Sequence, residues 1–402
     1  MPHRSVLLLL AVGAFAVGTD NFVINGVLAQ ISSSMEVSTA TAGQLITLFA
    51  LVYAISAPIL AVALARLPRR RVLTSAMALF VLGNALGALA PNYGTILFAR
   101  ILSAVAAAMY IGPAMATAAG LVPVNVRGRA LALVGGGLTV ATALGVPSGT
   151  LIGALGSWRW TLVLVSVVAA VAAVGIAVAL PAVPEPAAVS LIQRLGIAAR
   201  PAVLLGLLAN TSTVAGTFCL FTYIGPLAAN ETPITGVGLT IVFLAWGFAA
   251  VIGNPIGGRC ADRFGANRTL VAGLLVVATA LSGIGLLTVI TERTQWVSAA
   301  LLLLAVVVLS LSSWALPPAQ LHRMVGLAPA AAPIVSSLNS SATYLGLAVG
   351  GALGGLLLSV SSTSALGWLG ATLQFVAIGF VAASHRRAAA PAPFPAAVPA
   401  AR

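Results

Sequence analysis

Residues 160–181 read Trp160-Thr161-Leu162-Val163-Leu164-Val165-Ser166-Val167-Val168-Ala169-Ala170-Val171-Ala172-Ala173-Val174-Gly175-Ile176-Ala177-Val178-Ala179-Leu180-Pro181. No ionisable side chain interrupts the run, and about 20 mostly apolar residues carry one α-helix across a bilayer. Comparable segments fill the chain from end to end. They are predicted at 5–28, 40–65, 72–90, 95–122, 130–156 and 160–181. A longer, Pro-containing connection at 182–200 follows, then 201–229, 235–259, 269–291, 296–318, 329–359 and 365–384. The fold expected is an all-α integral membrane protein of twelve transmembrane helices. The Ala/Pro stretch 388–402 is of low complexity and is expected to be disordered.

Composition agrees. The 402 residues are 60% hydrophobic and 6% charged, with mean hydropathy +1.12. A soluble domain carries roughly 25% charged residues, so this chain lacks the surface to face water. His3 and Arg4, the apolar run and Ala14-Phe15-Ala16 imitate a signal peptide. The run continues through Phe22-Val23-Ile24-Asn25-Gly26-Val27-Leu28 to spanning length, so a retained first helix is expected.

A formal net charge of +13 would suggest nucleic acid in a soluble protein. Its distribution argues otherwise. All the positive charge is arginine, and sixteen arginines fall on one side of the expected membrane: Arg4, Arg66, Arg69, Arg70, Arg71, Arg127, Arg129, Arg194, Arg200, Arg259, Arg263, Arg268, Arg323, Arg386, Arg387 and Arg402. The other side receives Arg159 and Arg293, and Arg100 lies within a span. Positive loops face the cytoplasm. The expectation is a multi-pass protein of the bacterial cytoplasmic (inner) membrane with both termini cytoplasmic, and no nucleic-acid partner. Cys219 and Cys260 have neither metal-ligand spacing nor a disulfide pattern.

The chain repeats itself. Pro58-Ile59, Arg66-Leu67 and Arg71-Val72-Leu73 align with Pro255-Ile256, Arg263-Phe264 and Arg268-Thr269-Leu270. Gly145, Gly149 and Gly153 likewise match Gly346, Gly350 and Gly354. Two pseudo-symmetric six-helix halves, 1–181 and 201–387, joined by a cytoplasmic loop at 182–200, account for both alignments. Parallel halves of this kind hold substrate between them near the midplane in transporters.

Three places then resemble the major facilitator superfamily, in particular its twelve-helix drug:proton antiporters. Gly258-Arg259-Cys260-Ala261-Asp262-Arg263-Phe264-Gly265-Ala266-Asn267-Arg268 is similar to the superfamily's Asp-Arg-x-Gly gating loop. Leu97-Phe98-Ala99-Arg100-Ile101-Leu102 is similar to its buried-arginine motif. Gly137 with Gly145-Val146-Pro147-Ser148-Gly149 is similar to the antiporter motif. Gly18-Thr19-Asp20-Asn21-Phe22-Val23 resembles the Gly-Thr-acid-x-Phe-Val run of bacterial chloramphenicol and arabinose efflux transporters. One departure stands out: the first-half loop has Ala65 where the second half has Asp262. The resemblance implies the major facilitator fold and export of small amphipathic or lipophilic compounds, such as chloramphenicol-like antibiotics, in exchange for protons. Efflux of a sugar or nucleoside by the same fold is the alternative.

The residues allow that chemistry. Of the carboxylates Asp20, Glu36, Glu185, Glu231, Asp262 and Glu292, only Asp20 falls inside a span away from its ends. A charge at depth costs at least about 2.5 kcal/mol, so it must be neutral, paired or facing water. Burial favours the protonated form and a nearby cation the ionised one; a carboxylate balanced between them can load and release a proton. The competing reading is an acid that meets water near the outer interface. Arg100 is the one intramembrane cation. Counted from helix ends, it lies within about one turn of the depth of Asp20, unless it snorkels to the headgroups.

The glycine stripes imply close helix packing, or smooth faces on which the halves rock, and Pro147 is expected to kink the fifth helix. Candidate cavity residues are Asn21, Asn25, Met109, Tyr110, Asn210, Phe221, Tyr223, Trp246, Trp314 and Asn339, each of which also suits packing or lipid contact. With no lysine there is no nucleotide-binding loop of the Gly-x4-Gly-Lys type. No cofactor or metal is expected, and a proton gradient is the expected energy source. An enzyme would need clustered acid–base groups, whereas His3, His322 and His385 are all near helix ends or tails. The expected partners are a small-molecule substrate, protons and the lipid bilayer, with the chain a monomer.

Overall fold

The computed structural model describes residues 4–123, 126–181, 191–290 and 295–388. Most of the predicted connection, the tail from 389, and Glu185, Glu292, Arg293 and Arg402 lie outside the described residues.

Among the described residues, twelve helices are long and apolar enough to cross a membrane. They are α1 (Arg4–Ser34), α2 (Thr39–Ala63), α3 (Arg69–Ala88), α4 (Tyr93–Gly120), α5 (Arg127–Val140, continued through a π-helical turn at Ala141–Gly145 into Val146–Leu155) and α6 (Trp158–Ala179). The second six are α7 (Pro201–Phe221), α8 (Val237–Phe264), α9 (Ala266–Ile290), α10 (Gln295–Leu327), α11 (Ala332–Val360) and α12 (Ser364–Ala388). Short helices lie at Leu191–Ala198 and Ile224–Glu231.

Several boundaries differ from expectation. The span predicted at 201–229 breaks at Thr222 and Tyr223 into α7 and a separate short helix. Helix α10 runs through Pro317 and Pro318 to Leu327, so Arg323 is not in a loop but on a helix, where it is buried. Likewise the segment from Gly258 to Arg268, expected as a loop, is mostly helix. Asp262 and Arg263 end α8, and the turn into α9 is Gly265 alone, at φ +85° and ψ 145°. That conformation is essentially open to glycine only. At Pro147 the chain departs from regular α geometry as expected. The missing N–H is absorbed by the wider turn before it, where the Val146 N–H donates back to the Ala141 carbonyl.

Hydrogen bonds tie the helix ends into two levels. At the arginine-rich end, the Ser384 hydroxyl donates to the Ala202 carbonyl at 2.6 Å, and the Asn267 amide lies 3.1 Å from the His385 ring. At the opposite end, the Trp158 indole donates to Ser34 at 2.8 Å, Arg159 to the Ala90 carbonyl at 2.9 Å and Thr363 to Glu231 at 2.7 Å.

The two halves repeat in space. Pairings α1–α5, α1–α6, α2–α4, α3–α4 and α3–α6 recur as α7–α11, α7–α12, α8–α10, α9–α10 and α9–α12. Pro58 of α2 and Pro255 of α8 occupy matching helix interiors. The glycine stripes belong to this internal packing. Gly145, Gly149 and Gly153 seat α5 on Thr19, Val23 and Val27 of α1, while Gly346, Gly350 and Gly354 seat α11 on α7. They are therefore not the sliding surface between halves.

The contacts between the halves are made elsewhere, where α2 meets α11 and α5 meets α8. Gly43 meets the Tyr223 ring, Gly351 meets Thr47, and Gly247 meets the backbone of Thr142 and Ala143. Tyr53 of α2 stacks on Tyr344 of α11 with ring centroids 3.6 Å apart, and Phe22 of α1 stacks on Phe218 of α7 at 5.6 Å. These contacts lie at mid-depth and toward the arginine-poor end.

Candidate functional site

Asp20 and Arg100 meet directly. The Arg100 Nη1 donates to Asp20 Oδ1 at 2.8 Å, with the two side chains 3% and 0% exposed. The helices extend farther outward than the predicted spans, with Asp20 fourteen residues before Ser34 and Arg100 seven after Tyr93. The two residues nonetheless meet at one depth and pair without an intermediary.

Its surroundings are aromatic. The Arg100 guanidinium lies 4.2 Å from the centre of the Phe49 ring, a cation–π arrangement that partly offsets desolvation. Tyr53, stacked on Tyr344, follows Phe49 by four residues on α2, one turn along the same helix face. The pair in the first half thus abuts a ring contact between halves. Asp20 Oδ2 and Arg100 Nε and Nη2 are buried without hydrogen-bond partners among the described residues. A buried pair satisfied on one bond only is held less firmly than a bidentate one.

The second half carries no matching charge pair among its described residues. In its place is an amide network. Asn210 Nδ2 donates to the Asn339 carbonyl at 3.0 Å and to Thr343 Oγ1 at 2.8 Å. Gln320 Nε2 donates to the Gly206 carbonyl at 2.8 Å and to Asn339 Oδ1 at 3.4 Å. Beside it is a cavity of 120 Å³ walled by Phe22, Phe218, Trp246, Trp314, Leu347 and Asn210, among others. Drug-sized ligands occupy about 300–1,000 Å³, so the cavity must widen to hold one.

The sequence candidates therefore separate. Asn210, Trp246 and Trp314 line this cavity, and Asn339 braces Asn210. Phe221 backs the wall, its ring centroid 4.0 Å from that of Trp246. Asn21 and Asn25 are buried on α1, and neither amide atom of Asn25 has a hydrogen-bond partner among the described residues. Tyr110 is in the first-half core, donating to the Leu10 carbonyl at 2.9 Å and packed on Gly13. Tyr223 donates to the Gly351 carbonyl at 3.0 Å and plugs the seam between halves. Met109 packs on the same first-half core as Tyr110.

Of the residues in the Asp-Arg-x-Gly run, Asp262 and Arg263 are exposed. Asp262 Oδ1 lies 4.0 Å from His322 Nδ1 of α10, within its own half. Arg268 is exposed on the first turn of α9. Phe49, Tyr53, Tyr344 and Gln320 were not singled out from sequence. A tyrosine or glutamine inside an apolar span was the available signal, since each must find a partner there.

Comparisons with known proteins extend the geometry. The Major Facilitator Superfamily matches residues 10–332. The chain is 32% identical over 378 residues to the uncharacterized MFS-type transporter YbcL of Bacillus subtilis, covering 94% of this chain and 95% of that protein. It is 33% identical over 353 residues to the inner membrane transport protein YdhP of Escherichia coli, covering 88% of each. A chloramphenicol resistance protein of Streptomyces lividans is 32% identical over 381 residues, covering 94% and 95%. The crystal structure of a D-xylose-proton symporter superposes with a TM-score of 0.76 over 95% of this chain and 97% of that one, at 16% identity. That last likeness concerns the fold alone. Twelve apolar helices in two repeated halves, a family match over most of the chain and transporter relatives along its length agree: the chain is a membrane transporter, not an enzyme, and belongs to the Major Facilitator Superfamily.

Proposed function

We propose that this transporter exports small amphipathic compounds in exchange for protons by alternating access. The observation that carries the reading is the buried Asp20–Arg100 pair at 2.8 Å. Ionisable residues at depth in a membrane mark ion or proton pathways. Protonation of Asp20 removes the negative partner, frees Arg100 and alters the electrostatics next to the Tyr53–Tyr344 contact between halves. A proton taken from one side can in this way bias the packing of the two halves. The gradient supplies the energy, with no nucleotide or cofactor required.

The cavity supports a neutral, partly apolar substrate. Its aromatic walls and amide network offer stacking and hydrogen bonds, and no charged side chain lines it. The chloramphenicol resistance protein of Streptomyces lividans among the relatives points the same way. In this reading the arginine-rich end and both termini are cytoplasmic. Halves 1–181 and 201–387 rock against each other at the α2–α11 and α5–α8 contacts, and Asp262 and Arg263 latch the cytoplasmic end when the outer contacts open.

The test is transport by purified protein in proteoliposomes under an imposed pH gradient, with chloramphenicol and a neutral sugar as substrates. Gradient-driven accumulation of chloramphenicol that vanishes with an uncoupler supports the reading. Accumulation of the sugar alone, or transport indifferent to the gradient, overturns it.

A further inference from the structure

A second cleft shares no lining residue with the cavity beside Asn210. At the arginine-rich end, a cleft of 520 Å³ opens between the α8–α9 turn, the end of α10 and the end of α12. Arg268, His322, Arg323, His385 and Asn267 line it, and no acid does. Arg323 is the telling residue. It is 7% exposed, its Nη2 donates to the Val381 carbonyl at 3.3 Å, and its Nη1 is buried without a partner among the described residues. No described carboxylate pairs with it. Asp262, the nearby acid, lies 4.0 Å from His322, and both are exposed. A buried, uncompensated guanidinium is costly unless an anion meets it.

The same cleft contains the first turn of α9, residues Ala266 to Arg268. The N–H groups of a first turn lack intrahelical acceptors, and the helix dipole there favours negative charge. Arg268, His322, His385 and the helix N-terminus face the cleft, and the buried Arg323 adds positive charge behind them.

The surface below identifies the source of that anion. An apolar groove on α9 and α10 is lined by Leu275, Val276, Gly283, Leu301, Leu304 and Val308 among others. Leu275 and Thr279 follow Arg268 by seven and eleven residues, so the three share one helix face. On α10, Val308 precedes His322 by fourteen residues, four turns along nearly the same face. The basic cleft and the apolar groove therefore follow one seam, polar at the membrane's edge and apolar within it.

We infer that this seam binds a phospholipid of anionic headgroup, its phosphodiester in the Arg268–Arg323 cleft and an acyl chain along the α9–α10 groove. Basic pockets between transmembrane helices suit such headgroups.

The test is native mass spectrometry of the purified full chain, titrated separately with phosphatidylglycerol, phosphatidylcholine and inorganic phosphate. Because binding is read by mass, the result does not depend on transport. Phosphatidylglycerol should bind at least about tenfold more tightly than phosphatidylcholine, and the exposed-residue variant R268Q/H322Q should lose that preference. Gly283→Phe fills the groove at a position with nothing within 4 Å of an added Cβ. It should weaken lipid binding while the variant folds normally. Equal binding of the two lipids, a preference that survives R268Q/H322Q, or indifference to Gly283→Phe overturns the inference. Displacement of phosphatidylglycerol by millimolar phosphate also overturns it, in favour of a free-anion site.

Discussion

Gly247 of α8 packs directly on Ala143 of α5: a Cβ on Gly247 would overlap the Ala143 backbone. The contact joins the two halves at mid-depth, on the π-helical turn just before Pro147. Gly247→Val must push the halves apart there, and overpacking of this kind costs about 1–3 kcal/mol. Transport should fall by roughly tenfold or more, the kinetic equivalent of about 1.4 kcal/mol, with membrane insertion unchanged. Gly136→Ala is the control, since nothing lies within 4 Å of its added Cβ. Equal transport by the two variants would remove Gly247 from the moving interface.

Orientation is open to a direct check. Reporter fusions after Arg71 and Arg268 should read cytoplasmic, and those after Met35 and Glu231 external. The motive is the division of arginines, sixteen against two. A reversed pattern would put the arginine-rich end outside and overturn the proposed orientation.

Asp262, in the last turn of α8, is 80% exposed, and its partner among the described residues is His322 in its own half. A latch across the cytoplasmic end forms only when that end closes, so the variant should affect cycling rather than folding. Asp262→Asn should slow transport about fivefold, the scale of one charged contact near 1 kcal/mol. Ala65→Ser, at the equivalent first-half position, should change it little. Matching rates for both variants, measured at equal protein levels, would leave Asp262 without a gating role.

The number of spans, their order and the twofold repeat were all legible in the sequence, because lipid imposes one periodicity and one length on every element. Helix ends were less so. Arg323 was read as a loop residue because the predicted span ended at 318, yet α10 continues through Pro317 and Pro318 to Leu327. The glycine stripes announced close packing but not the partner: matching Gly145 to Thr19 requires knowing that α5 lies on α1. The same limit applied to the site. Asp20 and Arg100 were marked by their charge in an apolar setting, whereas Tyr53 and Tyr344 became meaningful only once α2 and α11 were known to meet. Charge at depth is a local signal; an interface between halves is not.

The Asp20–Arg100 pair yields the sharpest expectation, because its stability and coupling roles separate. Breaking a buried pair by removing one partner costs about 3–5 kcal/mol, whereas replacing both by neutral groups is often close to neutral. Arg100→Ala should therefore lower the melting temperature in detergent markedly, as it leaves a carboxylate buried without its cation. The double variant D20N/R100Q should recover most of that loss. Transport should not recover with it. Asparagine at position 20 holds the uncharged form permanently, so Asp20→Asn and the double variant should both bind substrate yet fail to accumulate it against a gradient. Substrate binding is read by tryptophan quenching, since Trp246 and Trp314 line the cavity, and accumulation in proteoliposomes with an imposed pH gradient. If Asp20→Asn accumulates substrate as the unmodified protein does, the pair is a structural clasp only and the proton is carried elsewhere.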